Sequence, residues 1–289
     1  MDKEQGRSNV RANELLGYPP DARLLILNAD DFGMYQAINA AILRTLTEGV
    51  VRSTTLMAPC PAAAGAMQLL GANPGIAFGV HLTVIRDPDE HRYGPLTPRE
   101  QVPSLIDEAG QFYRLPRLPE LLARAKVEEL AVEFRAQIEA VLAAGLAPTH
   151  LDWHCLPLSD RADIVAMTLG LAKAYGLAMR GVERSLRAQL QGRGLPIADH
   201  DVLDSFRLET AGKSATYARM LRELPTGLSE WAVHPGLGDA EARAINPGGW
   251  QVRQADFDFL ISPEARELIE REGIIVLDYR PLQAMWRSS

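Results

Sequence analysis

The chain has 289 residues, 47% of them hydrophobic and 23% charged, with a formal net charge of -7 and a pI near 5.5. That balance excludes the basic footprint of a nucleic-acid binder, and no apolar run approaches the ~18 residues of a membrane span. The two cysteines, Cys60 and Cys155, are too few for a disulfide scaffold and lack Cys-x-x-Cys spacing; both are expected reduced and packed.

Residues 1–22 are charged and polar and lack the apolar stretch of a signal peptide, so they read as a loose leader and the cytoplasm as the expected location. Segment 23–28 reads as the first strand. Its apolar run, Leu24 to Leu27, leads into Asn28-Ala29-Asp30-Asp31-Phe32-Gly33. Neighbouring side chains on a strand face apart, so Asp30 and Asp31 can share a site only where the strand stops and the backbone turns. Two adjacent anions need a cation or a proton between them. The ends of parallel strands are also where α/β proteins carry their chemistry. The pair therefore reads as a metal ligand beside a general base, against the plainer reading of a turn with a helix cap.

A helical pattern follows over 35–48, with Ile38, Ile42, Leu43 and Leu46 on one face, and then strands over 52–58 and 76–82. The second of these ends in His81. Segment 86–119 breaks the pattern with Pro88, Pro95, Pro98, Pro103, Pro116 and Pro119. It is too long for an ordinary connection and reads as a lid or wall inserted at the end of a strand. A helix over 126–144 carries Leu130, Phe134, Ile138, Val141 and Leu142.

The strand over 149–154 reads Thr149-His150-Leu151-Asp152-Trp153-His154. His150, Asp152 and His154 share a face and span ~13 Å at ~3.3 Å per residue, so the two histidines need not share one metal. Asp152 can hold an imidazole by its second nitrogen. A helix over 160–175 and strands over 178–182, 202–208, 230–234 and 274–279 complete the series, the third of these strands ending in His234. Ser262-Pro263-Glu264 opens a late helix with a cap and a first-turn proline.

Strands alternating with helices predict an α/β parallel sheet, and about seven or eight strands over 23–289 favour a single-domain (β/α) barrel over an open sheet, a choice that periodicity alone does not decide. The glycine motifs of dinucleotide and P-loop sites and the GxSxG elbow are absent. What remains is a carboxylate pair and histidines at strand ends that a barrel brings to one face. Imidazole with carboxylate suits a divalent transition metal. Three protein ligands leave a position for a water, whose pKa falls from ~15.7 towards ~7 on the ion. This is the equipment of metal-assisted hydrolysis. His91 and His200, in polar loop-like surroundings, read as structural, and Cys155 reads as a packed thiol rather than a nucleophile.

Five motifs, Asn28-Ala29-Asp30-Asp31-Phe32-Gly33, Gly49-Val50-Val51-Arg52-Ser53-Thr54-Thr55-Leu56-Met57, Gly79-Val80-His81-Leu82, Thr149-His150-Leu151-Asp152-Trp153-His154 and His234-Pro235-Gly236, resemble in order the YdjC-like carbohydrate deacetylases. The resemblance covers roughly 23–282. It implies a deformed (β/α) barrel like that of polysaccharide deacetylases, and removal of the N-acetyl group from an amino sugar or short oligosaccharide with release of acetate. It further implies one divalent metal ion, zinc or magnesium, held by Asp31, His81 and His154. Asp30 would take a proton from the metal-bound water. His234 would protonate the leaving amine or stabilise the tetrahedral intermediate, and His150 and Asp152 would support. The family's further histidines after the last ligand are replaced by Cys155-Leu156-Pro157, and Trp153 stands where a serine is common, which touches substrate identity more than reaction type. A homodimer is the common assembly of the family.

Trp153, Phe32, Tyr113 and Trp250 are candidates for stacking on a sugar ring, with core packing the plainer reading of each. Two other functions fit the same residues. One is a phosphoester hydrolase or sugar isomerase, for which Pro235-Gly236-Leu237-Gly238 is the candidate phosphate loop. The other is a non-catalytic sugar-binding relative.

Overall fold

The protein is described by a computed structural model covering residues 11–87, 91–158, 160–181 and 184–288. The strands are β1 (Arg23–Phe32), β2 (Ser53–Leu56), β3 (Ala77–Leu82), β4 (Ile85–Arg86), β5 (Tyr113–Arg114), β6 (His150–Trp153), β7 (Ala178–Met179), β8 (Leu203–Asp204), β9 (Gly227–Val233) and β10 (Ile275–Leu277). Eight of them form one parallel sheet in the order β7-β6-β3-β2-β1-β9-β8, with β10 beside the first half of β1. Each of the eight predicted strands has its counterpart in this sheet. The short β4–β5 pair, in a sheet of its own, lies at the two sides of the proline-rich insertion.

β1 is the axis of the fold. Its early residues pair with β10 and its later ones with β2, while its other edge pairs with β9 from Arg23 to Ala29. Because both faces are covered, it reads as a continuous apolar run rather than an alternation. The alternation reappears in where its side chains go. Leu25, Leu27 and Ala29 join the large core that includes Ile38, Ile42 and Phe259 from the surrounding helices. Leu24 and Ile26 face the other way, into a small cluster with Ala178 of β7, Leu228 of β9, Leu277 of β10 and Tyr279.

That small cluster proves the sheet is curled. β7 lies four strands from β1, about 19 Å away in a flat sheet at ~4.8 Å per strand. Yet Ala178 shares a cluster with Leu24, and Arg180, just past β7, bonds Asp30 of β1 at 2.7 Å. The sheet is therefore a barrel that is not sewn shut: among the described residues no strand pairing joins its ends, β7 and β8.

One expectation needs correction. Residues 1–10 lie outside the described residues, but 11–22 are docked, not loose. Arg11 Nη1 donates to Thr226 Oγ1, the Ala12 amide to Asp199, and Asn13 Nδ2 to the carbonyls of Pro19 and Pro20. Ala12 packs against the barrel's interior cluster, so burial of its apolar face holds the segment in place. The insertion, whose residues 88–90 are outside the described residues, is likewise pinned. Glu133 accepts from the amides of Leu96 and Thr97, Glu129 from that of Ser104, and Arg86 donates to the Phe112 carbonyl and pairs with Asp107.

The close approach of β3 to β6 rests on Gly79. A methyl group there would stand 2.6 Å from the His150 carbonyl oxygen and 2.7 Å from its Nδ1. The neighbour is backbone in a ladder and cannot give way. Gly79→Ala should cost about 1–3 kcal/mol of stability. Urea unfolding of the variant beside the parent checks this, and an unchanged midpoint would contradict the packing described.

Candidate metal centre

β1 does not stop at Asn28 as expected. It continues to Phe32, its register against β2 slips between Ala29 and Phe32, and Asp31 takes φ +75°. A bulge with a residue in the left-handed region breaks the up-down alternation. Asp30 and Asp31 consequently face the same site without the strand ending. Aspartate tolerates this conformation better than most residues, and such strain persists where the surroundings enforce it. The same slip sends Phe32 into the core, where it is fully buried and has no face to offer a sugar.

Past the bulge, Asp31 Oδ1 lies 3.4 Å from His81 Nε2 and 3.2 Å from His154 Nδ1, and the two nitrogens are 3.3 Å apart. All three residues are buried, and no hydrogen bond satisfies Asp31 Oδ1. For bonds of about 2.0–2.1 Å the edge of a coordination tetrahedron is about 3.3–3.4 Å. The triangle has that size, and these three residues can hold a metal ion. Asp152 Oδ1, 2.6 Å from His81 Nδ1, takes the proton side of that ring and leaves Nε2 free to ligate.

Two buried arginines neutralise the acid pair. Arg180 grips Asp30 with both terminal nitrogens, at 2.7 and 2.8 Å, while its Nε meets Glu230 at 2.7 Å and its Nη1 lies 2.7 Å from Asp152. Arg253 Nη2 holds Asp31 Oδ2 at 2.7 Å, leaving Oδ1 for the triangle. Burial works to raise both carboxyl pKa values, but the Arg180 and Arg253 guanidinium groups overcome it and hold Asp30 and Asp31 well below the ordinary range. Burial also opposes a charge on His81, yet Asp152 pushes it up to about 9. Burial opposes a charge on His154 as well, while Cys155 and Asp31 raise it.

The remaining candidates separate. His234 stands partly exposed beyond the end of β9, near enough for its charge to act on Asp30. His150 lies deeper, stacked on Tyr279 with ring centroids 3.6 Å apart, its Nδ1 on Thr149 Oγ1. Burial and the Arg180 charge push it down to about 3, so it sits neutral as packing and takes no part in proton transfer. Trp153 faces a helix and donates to Thr168, and Tyr113 is buried, so neither meets a sugar. Trp250 is partly buried under Arg243. His91 lies in a loop, as expected, but is buried, its Nε2 on the Met34 carbonyl, and His200 Nε2 meets the Thr226 carbonyl. Cys60 is buried, but Cys155 is exposed, contrary to expectation. Its φ of +50° turns the chain out of the strand direction just after His154.

The sequence reading passed over Arg180, Arg253, Glu230, Ser205 and Phe206. Arg180 had a signal, since it lies within a predicted strand near its end, where Asp31, His81 and His154 were found. Arg253 had none: it sits in the helix Trp250–Leu260, whose pattern does not mark which charge turns inward. Phe206 is 38% exposed, with its ring 4.8 Å from that of His234. The glycine loop is not a phosphate cradle. The amides of Gly236, Leu237 and Gly238 already donate to Arg253 O, Ala37 O and Gln254 Oε1. Among the described residues no helix is long and apolar enough to cross a membrane.

Residues 24–271 match the model of the family described as YdjC-like protein. A carbohydrate deacetylase of Enterococcus faecalis is 31% identical over 89% of this chain and 97% of its own length. Carbohydrate deacetylase 1 of Listeria innocua is 36% identical over 89% of this chain and 99% of its own. A solved structure from Enterococcus faecalis, of a protein provisionally assigned to cellobiose-phosphate cleavage, superimposes with a TM-score of 0.78 at 30% identity, covering 90% of this chain and 99% of its own.

The His81 shift has a consequence for the metal-free protein. A histidine whose pKa rises on folding stabilises the fold below its unfolded value of about 6.5, and that contribution is lost as pH climbs through about 9. The two aspartates, lowered from an already acidic value, contribute equally across this window. Thermal unfolding in chelator should therefore show a falling midpoint between pH 6.5 and 9. A midpoint that rises over that range would contradict the charged state assigned to His81.

Proposed function

This chain belongs to the YdjC-like protein family, and from that premise we propose that it is a metal-dependent carbohydrate N-deacetylase. It removes the acetyl group from an N-acetylated amino sugar or short oligosaccharide and releases acetate. One observation carries the reading: a buried Asp31–His81–His154 triangle of cation-binding size stands beside a second carboxylate, Asp30, held ionised by Arg180.

Asp31 Oδ1, His81 Nε2 and His154 Nδ1 would hold the ion. Their separations of 3.2–3.4 Å exceed the edge of about 2.8–3.0 Å that a magnesium octahedron demands, and two of three donors are imidazole, so zinc is the better fit. When bound, such an ion supplies Lewis acidity, polarising a carbonyl and bringing the pKa of water towards ~7. Asp30 accepts the proton of the attacking water. Its carboxylate is kept ionised by Arg180, so it would be free to take that proton. Arg180 keeps the carboxylate aimed with two bonds. His234 protonates the departing amine. Asp152 keeps His81 in the ligating tautomer.

The sugar ring rests on Phe206. A phenyl ring exposed at the site's rim, edge to face with His234, is an apolar platform for the C–H face of a pyranose. The insertion's residues from His91 onward are tied to the loop after the acid pair by the His91–Met34 bond, so they stand as a wall near the site.

Asp30→Asn should lower acetate release by about 10²–10⁴-fold while metal content, measured by elemental analysis, stays at the parental level. His81→Ala should lose both together. Acetate release from N-acetylated amino sugars by Asp30→Asn at the parental rate would refute the role of Asp30. Phe206→Ala should raise KM about 2- to 10-fold with kcat nearly unchanged, the worth of one aromatic contact. Steady-state kinetics decides this, and a drop confined to kcat would place the sugar elsewhere.

A further inference from the structure

Behind His234 lies a chain of buried polar groups that the acid pair does not use. His234 Nδ1 is 2.8 Å from Ser205 Oγ, in the turn Ser205–Arg207 after β8. Ser205 Oγ is 2.5 Å from Asp256 Oδ2 on the helix Trp250–Leu260. Asp256 Oδ2 also accepts the backbone N–H of His234 at 2.9 Å, and its Oδ1 accepts the Tyr217 hydroxyl at 2.8 Å. Lys213 Nζ lies 2.6 Å from that same Oδ1. Ser205, Asp256, Lys213 and Tyr217 are all buried.

Proton counting fixes the direction of every bond. A carboxylate against an ammonium group, already receiving an N–H and an O–H, can only accept. A serine hydroxyl has one proton. That proton must go to Asp256, because two facing acceptors at 2.5 Å would repel. Ser205 Oγ then has only lone pairs to turn towards His234, so Nδ1 must carry the hydrogen. The neutral ring is left with its bare nitrogen at Nε2, away from Ser205.

We propose that Ser205 and Asp256 are positioning residues that lock His234 in the Nδ1–H tautomer, with Lys213 balancing the Asp256 charge. Inserting a hydroxyl between acid and imidazole separates two tasks. The ring's orientation is set by a hydrogen bond, while the Asp256 charge is spent on Lys213 rather than on drawing a proton onto the ring. Asp204 Oδ1, 4.0 Å from Nδ1, is too far to compete for that hydrogen. On the deacetylase reading above, Nε2 is the nitrogen that carries the proton to the leaving amine, and the tautomer keeps it free to be reloaded after each turnover.

The test is the tautomer itself, read in the full-length protein labelled with ¹⁵N-histidine by long-range ¹H–¹⁵N spectra at a pH where His234 is neutral. Parental His234 should show a protonated Nδ1 and a bare Nε2. Ser205→Ala should shift the ring towards Nε2–H and lower kcat about 10- to 100-fold with KM held. Ser205→Thr, which restores the hydroxyl, should recover the parental tautomer. A parental ring protonated at Nε2, or a tautomer indifferent to Ser205→Ala, would overturn the proposal. Because the spectrum needs no substrate, a protein that shows the Nδ1–H ring but releases no acetate would support the relay and count against the deacetylase reading alone.

Discussion

Two carboxylates cannot stay ionised side by side inside a protein unless cations are built in against them. Everything near the mouth of this barrel answers that requirement. Asp30 takes Arg180, Asp31 takes Arg253, and the free oxygen of Asp31 faces His81 and His154. The arginines come from opposite ends of the fold, one from beyond the edge strand β7 and one from a late helix. The chain must be fully folded before the acid pair is stable. Removing the Arg180 guanidinium would leave Asp30 without the cation it pairs with, a change that costs about 3–5 kcal/mol in comparable settings.

Arg180 also explains how a sheet whose ends do not pair among the described residues keeps its curl. Its guanidinium bonds β1 through Asp30 and β9 through Glu230, and lies against Asp152 of β6. β9 is the neighbour of β1, but β6 would lie three strands from β1, about 14 Å, in a flat sheet. Below this charged layer, Leu24, Ile26, Ala178, Leu228 and Leu277 form an apolar floor, with His150 stacked on Tyr279 nearby. The interior thus grades from apolar to charged along the strand direction, which puts the chemistry at the C-terminal ends of the strands.

The strands and their terminal Asp and His residues were legible because burial on both faces writes a short apolar run, and because ligands must sit where such runs end. The helices Gln36–Thr47 and Val127–Ala143 were legible from their periodicity. The bulge at Asp31 was not, since a local register slip leaves no mark on hydrophobic pattern. Arg253 and Asp256 turn inward from one helix three residues apart, and only tertiary context distinguishes them from the solvated charges beside them. Lys213 is a charge that composition would place outside, and it is buried because Asp256 is there to meet it.

The triangle is where that requirement is left unfinished. Arg253 satisfies Asp31 Oδ2, but Oδ1 has no hydrogen bond and lies 3.4 Å from His81 Nε2 and 3.2 Å from His154 Nδ1. Those two nitrogens face each other at 3.3 Å, and a hydrogen bond between them needs one of the two bare. Burial works against a charge on either ring, while Asp152 favours it on His81 and Cys155 and Asp31 favour it on His154. A divalent cation would need both nitrogens bare, so its binding would release the proton held between them and supply positive charge in its place. Arg180 and Arg253 hold Asp30 and Asp31 Oδ2 in either case, so the exchange would be confined to the triangle.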